Sequence, residues 1–481
     1  MRQRDLSGMR VTVMGLGLHG GGVAAARYCA SRHAEVTVTD LRDERALSDS
    51  IAALEGLPIR YVLGGHEDAD FAGADMVIKN PAVRRDLGLL EKAVRIETDI
   101  SLFLDGLDNP LVAITGTKGK SSTSSATSHI LEAWNAGARL GGNITHSPLN
   151  FIHDLEAETI VVLELSSFQL GDLSFCAAHN EKRGSRPKGF GGKHAPIDPT
   201  VAVITNIFRD HQDYYGGMEP YVDDKRTVYR SQREGWSVFS GMDGYGIHFA
   251  AEATTPSVLL HDQEPERYGD GSPSAIYDYN GWGILSVDRK RVPLVPQRLK
   301  VAGKHQRRNC LIAAAAAYLA GAPADLVKAR VGGFEGLSHR LAYVATRGHL
   351  RFYNDSASTI PEASLEAVRS FREPVHLLCG GTDKGLDPTP LLEAARAARS
   401  VHLLSGGTTE KLLPLLAAEG IPYSGPHESL DSLLEAALSA AGKGHGVILF
   451  SPGAASFELF LNEFDRGNRF VEAVQSLGVS R

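Results

Sequence analysis

The chain is 481 residues long, with 43% hydrophobic and 22% charged residues. That length is too great for one hydrophobic core, and the balance excludes disordered, collagen-like and coiled-coil classes. With 50 Lys and Arg against 57 Asp and Glu the formal net charge is -7, so no global positive field draws the chain to nucleic acid or to an anionic membrane.

The first hundred residues alternate β-rich and helical runs: Val11 to Met14, Gly22 to Ala30, Glu35 to Thr39, Arg60 to Leu63 and Met76 to Lys79. This alternation predicts a parallel sheet with crossover helices. The turn-rich segment LDGLDNP, residues 104 to 110, marks a boundary. A second α/β unit runs from PLVAITG (110 to 116) through TIVVLEL (159 to 165) and VAVITN (201 to 206) to an alanine-rich helix from Asn309 to Ala320. A third begins past Gly332 and contains the strands HLRFYND, VHLLCGG, VHLLSGG and GVILFSPG. The expected organisation is three α/β domains, 1–108, 109–332 and 333–481, the outer two Rossmann-like and the central one of P-loop type. Residues 179–197 are rich in Gly and basic residues. They read as a mobile insertion in the central domain, either simply solvated or reaching a phosphate or partner.

Four scattered Cys without CxxC spacing support neither a disulfide framework nor a zinc site. The N-terminus lacks a signal-peptide pattern, and no run of about 18 apolar residues exists. A cytoplasmic protein without membrane insertion is expected.

The excess residue is Gly, with 51 copies, and its clusters carry the chemistry. Gly15-Leu16-Gly17-Leu18-His19-Gly20 follows a strand, and Asp40 closes the next one. This is the setting of a nucleotide fingerprint, and alone it suggests a dehydrogenase. The second cluster, Gly116-Thr117-Lys118-Gly119-Lys120-Ser121-Ser122, lies between a buried strand and a helix. Its N–H groups can cradle a triphosphate, with Lys120 at the β and γ phosphates and Ser121 or Ser122 at Mg²⁺. It is a variant P-loop, with Ile114 where glycine is usual. Glu164 and His211, near strand carboxyl ends, are metal and base candidates, since a carboxylate closing so apolar a strand is costly unless paired. Lys225, in YVDDKRTVY, reads by composition as a surface lysine.

Taken together these residues resemble the Mur ligases, ATP-dependent amide-forming enzymes of peptidoglycan precursor synthesis, over essentially the whole chain. The likeness rests on GTKGKSS (116 to 122), GGNIT (141 to 145), LELSSFQL (163 to 170), DHQD (210 to 213) followed by Lys225, LSHR (337 to 340), NDS (354 to 356) and SPGAAS (451 to 456). Within the family the set is most similar to the members that add D-glutamate. The resemblance implies that Leu18, His19, Asp40, Arg42, Asn80, Asn143 and Gln169 seat the UDP-sugar, UDP-N-acetylmuramoyl-L-alanine. It implies that Asn309, Arg340 and Asp355 join Gly116 to Ser122 around ATP, and that Thr359, Lys384 and Ser456 hold glutamate. Lys120, His211 and Lys225 become the catalytic set. Ser121, Glu164, His211 and a carbamylated Lys225 become ligands for two Mg²⁺ ions. A C-terminal domain that closes on ATP and a monomeric enzyme are implied as well. The chain departs from the family pattern at Tyr214, Gln306, Ala357 and Glu463.

Overall fold

In the computed structural model, which describes residues 5–18, 20–105, 107–144, 146–185, 196–265 and 274–478, the early alternation becomes a five-stranded parallel sheet. Its order is Ile59–Leu63, Glu35–Asp40, Arg10–Met14, Met76–Lys79, Ile96–Glu97. The helix Gly21–Ala30 presses so closely on the first turn that a Cβ at Gly22 would lie 2.4 Å from the Leu16 carbonyl oxygen.

The second sheet has nine strands, ordered Lys290–Val295, Trp282–Val287, Ser274–Tyr279, Ser257–His261, Trp236–Ser240, Val201–Ile204, Leu111–Thr115, Val161–Glu164, Arg139–Gly142. Leu111–Thr115, Val161–Glu164 and Val201–Ile204 are buried at every residue. Burial on both faces is why they read as unbroken apolar runs rather than alternating ones. The hairpin of Trp282–Val287 and Lys290–Val295 is antiparallel and turns through Asp288 and Arg289, at φ 49° and 61°. Such a turn is normally signalled by Asn-Gly, so the sequence leaves it hidden.

The basic insertion begins later than its composition suggests. The helix Ser167–Lys182 continues through His179 and Asn180. Asn180 is buried, accepting from the Ile96 N–H and donating to the Ile96 carbonyl, both at 2.9 Å. Residues 186–195 lie outside the described residues.

The third sheet has six strands, ordered Ala342–Arg347, Leu350–Asn354, Gly446–Phe450, Val375–Gly380, Ser400–Leu404, Tyr423–His427, all parallel but the first. The first two sheets belong to one compact unit, residues 1–297 with 309–331, and the third to another, residues 298–308 with 332–481.

Histidines and serines alternate across neighbouring strands of the third sheet. His376 bonds Ser400, Ser400 bonds His402 and His402 bonds Ser424, each at 2.7 Å, and Ser424 reaches His427 at 3.1 Å. Burial, with His376 and His427 nearby, pushes His402 down to about 4 from its ordinary 6.5. A base whose folded pKa is depressed takes up fewer protons folded than unfolded, so its stabilising effect is complete above 6.5 and is lost as pH falls toward 4. Between pH 7 and about pH 4.5 the intact chain should therefore lose about 2 kcal/mol more stability, measured by urea unfolding, than a chain without this imidazole. His402→Gln should flatten that slope; an equally steep one in the variant would mean that other groups set it.

Candidate active site

The strand Leu111–Thr115 runs into the loop 116–119 and the helix Lys120–Trp134. Gly116 (φ 142°) and Gly119 (φ 83°) bend the chain where side chains have no room. A Cβ at Gly116 would lie 2.0 Å from Thr205 Oγ1, and one at Gly119 would lie 2.4 Å from Asn309 Oδ1. Asn309, distant in sequence, is thus packed against the loop.

The opposite wall comes from the strand Val201–Ile204 and the residues after it. The Thr117 and Lys118 N–H groups donate to the Asn206 carbonyl (2.9 Å) and Asn206 Oδ1 (2.8 Å). The Lys118 carbonyl accepts from Thr205 Oγ1 (2.7 Å) and Asn206 Nδ2 (2.9 Å). Thr117 Oγ1 meets the Tyr221 hydroxyl at 2.8 Å. Thr205, Asn206 and Tyr221 were not among the sequence candidates. Pairing of the strands Leu111–Thr115 and Val201–Ile204, far apart in sequence, brings Thr205 and Asn206 to the loop, and packing of the helix Met218–Arg230 brings Tyr221; neither is visible locally.

Two lysines converge beneath the loop. Lys120 Nζ donates to the Gly116 and Thr117 carbonyls at 3.1 and 3.0 Å, and Lys225 Nζ donates to the same Gly116 carbonyl at 2.9 Å. Lys225 is 2% exposed, which corrects its reading as a surface lysine. It lies on the inner face of the helix Met218–Arg230, with Nζ 4.8 Å from the centre of the Tyr221 ring. Burial, reinforced by the neighbouring Lys120 charge, holds its pKa well below that of an ordinary lysine.

Glu164 ends the strand Val161–Glu164 and is buried. It accepts from Asn143 Nδ2 at 3.1 Å and from Ser124 Oγ at 3.3 Å. Ser124, one helical turn past Ser121, is a further site residue that the motif alone does not single out. Ser122 is buried and Ser121 half-buried at the start of the same helix. His211 is exposed and takes the left-handed conformation at φ 53°, its ring 4.9 Å from that of Phe168. A non-glycine residue in that region carries strain of the kind that functional sites retain.

At the glycine turn of the first sheet, Asp40 accepts from the Gly17 N–H (3.1 Å) and the Arg42 N–H (2.9 Å). Asn80 Nδ2 donates to the Gly15 carbonyl at 3.1 Å. Leu18 is exposed beside them; His19 lies outside the described residues. Gln169 spends its amide oxygen on the cap of its own helix, accepting from the Ser166 N–H at 2.9 Å. Any contact with a ligand falls to its Nε2.

In the second unit, three loops at the carboxyl ends of adjacent parallel strands carry the remaining candidates. Thr382 and Ala455 exchange backbone hydrogen bonds of 3.1 Å, which sets the Lys384 loop beside the Ser456 loop. The Gly453 N–H donates to the Ser358 carbonyl at 2.9 Å, drawing in the segment of Thr359. Asp355 is enclosed: it accepts from the Leu341 N–H (2.9 Å), Ser358 Oγ (2.5 Å) and Ser451 Oγ (2.7 Å), and burial pushes it up to about 6. Its carboxylate organises these loops. Arg340 is exposed between His339 and Leu341, which stand at φ 63° and 52°.

The family models for the Mur ligase MurD-like N-terminal domain and the Mur ligase middle domain match residues 9–101 and 185–317. The chain is 39% identical to the UDP-N-acetylmuramoylalanine–D-glutamate ligase of Treponema pallidum over 98% of each chain. It is 35% identical to that of Borreliella burgdorferi strain ZS7, over 98% of this chain and 99% of the relative. Among solved structures it is similar to the UDP-N-acetylmuramate-alanine ligase MurC of Thermotoga maritima, with TM-score 0.57 and 19% identity over 98% and 100% of the two chains.

The loop geometry sets one expectation. Gly119→Ala combines an unfavourable φ with a clash at Asn309, and strain of this size should weaken ATP binding roughly tenfold or more. Gly88→Ala, which meets nothing within 4 Å, should leave it unchanged. A direct titration with ATP distinguishes the two; equal affinities would show that the loop tolerates the side chain.

Proposed function

The chain belongs to the Mur ligase family, and from this we infer that it joins D-glutamate to UDP-N-acetylmuramoyl-L-alanine at the expense of ATP, in peptidoglycan precursor synthesis. The choice of branch rests on the full-length likeness to D-glutamate ligases. The geometric observation that carries the reading is the convergence of Lys120 and buried Lys225 on the turn of a glycine loop at a helix N-terminus.

The reaction has two steps. The alanyl carboxylate attacks the γ-phosphorus of ATP, the bond to ADP breaks, and an acyl phosphate forms. The glutamate amine then attacks the acyl carbonyl, loses a proton, and expels inorganic phosphate through a tetrahedral intermediate. Charge develops mostly on phosphoryl oxygens, so positioning and electrostatics dominate. With the Thr117 and Lys118 N–H groups engaged by Asn206, the N–H groups at the start of the helix Lys120–Trp134 donate to the phosphate oxygens. Lys120 is the mobile cation of the set: its bonds to two carbonyls are exchanged for phosphate oxygens. His211 and Asn143 orient the muramoyl-alanine end, while Thr359, Lys384 and Ser456 present glutamate.

Glu164 suits a hard divalent cation, because its buried carboxylate meets neutral donors, Asn143 and Ser124. No group of three or more His, Cys, Asp or Glu gathers among the described residues, so phosphate oxygens and water would complete the shell. Ser121, Glu164, His211 and a carbamylated Lys225 would hold up to two Mg²⁺ ions, which supply neutralisation of phosphate charge. Burial lowers the pKa of Lys225 and so favours the neutral amine, whose free electron pair CO₂ capture requires. No helix among the described residues is long and apolar enough to cross a membrane. A monomer acting in the cytoplasm, where ATP is made, completes the reading.

Phosphate release should depend jointly on ATP, Mg²⁺, the nucleotide sugar and D-glutamate. Release that L-glutamate supports equally well would remove the stereochemical assignment, and none with any amino acid would remove the ligase reading. Lys120→Ala should lower turnover by roughly 10²- to 10³-fold; a variant near native turnover would take Lys120 out of the mechanism.

A further inference from the structure

A buried ionic bridge outside the reacting set joins the two sheets of the first unit. Lys79, the last residue of the strand Met76–Lys79, donates to Asp172 Oδ2 at 2.6 Å, with both side chains at most 1% exposed. Arg85 then reaches two carboxylates at once. Its Nε donates to Asp172 Oδ1 at 2.9 Å, and its Nη1 and Nη2 form a fork onto Asp224 at 3.2 and 2.6 Å. Nη2 also reaches the Phe168 carbonyl at 3.4 Å, and Asp224 accepts from the Tyr215 hydroxyl at 2.9 Å.

Two cations face two carboxylates, so the charges cancel. Burial drives Lys79 down and Asp172 up, each toward its neutral form. The short contact and the second cation, Arg85, oppose that drift.

Both ends of the bridge lead to parts of the site. Lys79 Nζ also donates to the Asn80 carbonyl at 3.2 Å, and Asn80 is latched to Gly15 in the first glycine turn. Asp224 precedes Lys225 on its helix, and Tyr215 follows closely on His211. The helix Ser167–Lys182 makes room for the bridge at Gly171, where a Cβ would lie 2.0 Å from Arg85 Nη2 and 2.2 Å from Asp224 Oδ2. Glycine inside a helix is less favourable than alanine, and here that cost opens the passage for one guanidinium.

We propose that Arg85 is a positioning residue, fixing the nucleotide-sugar turn and the helix of Lys225 in one register so that the bound carboxylate meets the ATP loop. Its use in catalysis rests on the ligase reading above. A lysine could not replace it, because a single ammonium lacks the planar fork that spans two carboxylates.

The test uses the full chain carrying Arg85→Met, Arg85→Lys, Gly171→Ala, and Arg85→Met with Gly171→Ala. Each single change should lower kcat by about 10- to 100-fold, the scale of a small misalignment of reactants. KM for the nucleotide sugar should rise while KM for glutamate stays within about two-fold of wild type. The double variant should be no worse than either single one, because both changes break the same bridge. Amide hydrogen exchange over residues 212–230 should quicken in every variant, a readout that does not require turnover. A kcat within about two-fold of wild type, additive losses, parallel rises in every KM, or unchanged exchange would each overturn the proposal. A wild-type chain that released no phosphate would instead sink the ligase reading, and the exchange measurement would still judge the bridge.

Discussion

Two lysine amines meet at one peptide oxygen, and the arrangement of the first unit follows from the need to hold them there. Lys120 and Lys225 both donate to the Gly116 carbonyl, and each raises the cost of charging the other. The carbonyl can be shared because Gly116 turns at φ 142° against Thr205, in a conformation that side chains avoid. Like charges brought this close in a partly desolvated place repel by several times what they would in water. In the proposed reaction a triphosphate answers that imbalance on the side of Lys120. On the side of Lys225, burial favours the neutral amine.

The surrounding structure keeps this pair in place. Fully buried parallel strands bring the loop 116–119, Glu164 and Thr205 to one end of the sheet, where ligands of open α/β folds gather. The bridge through Lys79, Arg85, Asp172 and Asp224 ties the first sheet to the helix that carries Lys225. In the second unit Asp355 does comparable work by accepting three hydrogen bonds that knit the loops of Ser358 and Ser451.

Much of this was legible in the sequence, wherever a local signal existed. Strands such as Leu111–Thr115 announce themselves as unbroken apolar runs before glycine, and the loop carries its own chemistry in Gly-Lys-Ser. Lys225 shows the limit. In YVDDKRTVY its charged neighbours suggest a solvated helix face, and only the packing of Met218–Arg230 against the loop turns it inward. Asn206, Tyr221 and Ser124 were missed for the same reason, since their partners lie on other strands and helices. The hairpin at Asp288 and Arg289 lacked a glycine to mark it, and the helix through Asn180 was masked by a basic composition that continues past its end.

The proposed ligase reaction depends on phosphorylation of the alanyl carboxylate at this loop before glutamate reacts. It is tested most directly by following oxygen. With both carboxylate oxygens of the nucleotide-sugar substrate labelled with ¹⁸O, an acyl phosphate requires that one labelled oxygen leave in the inorganic phosphate and one remain in the new amide. Phosphate carrying one ¹⁸O per turnover is the result expected; unlabelled phosphate, released at the same rate as amide formation, would rule out an acyl phosphate.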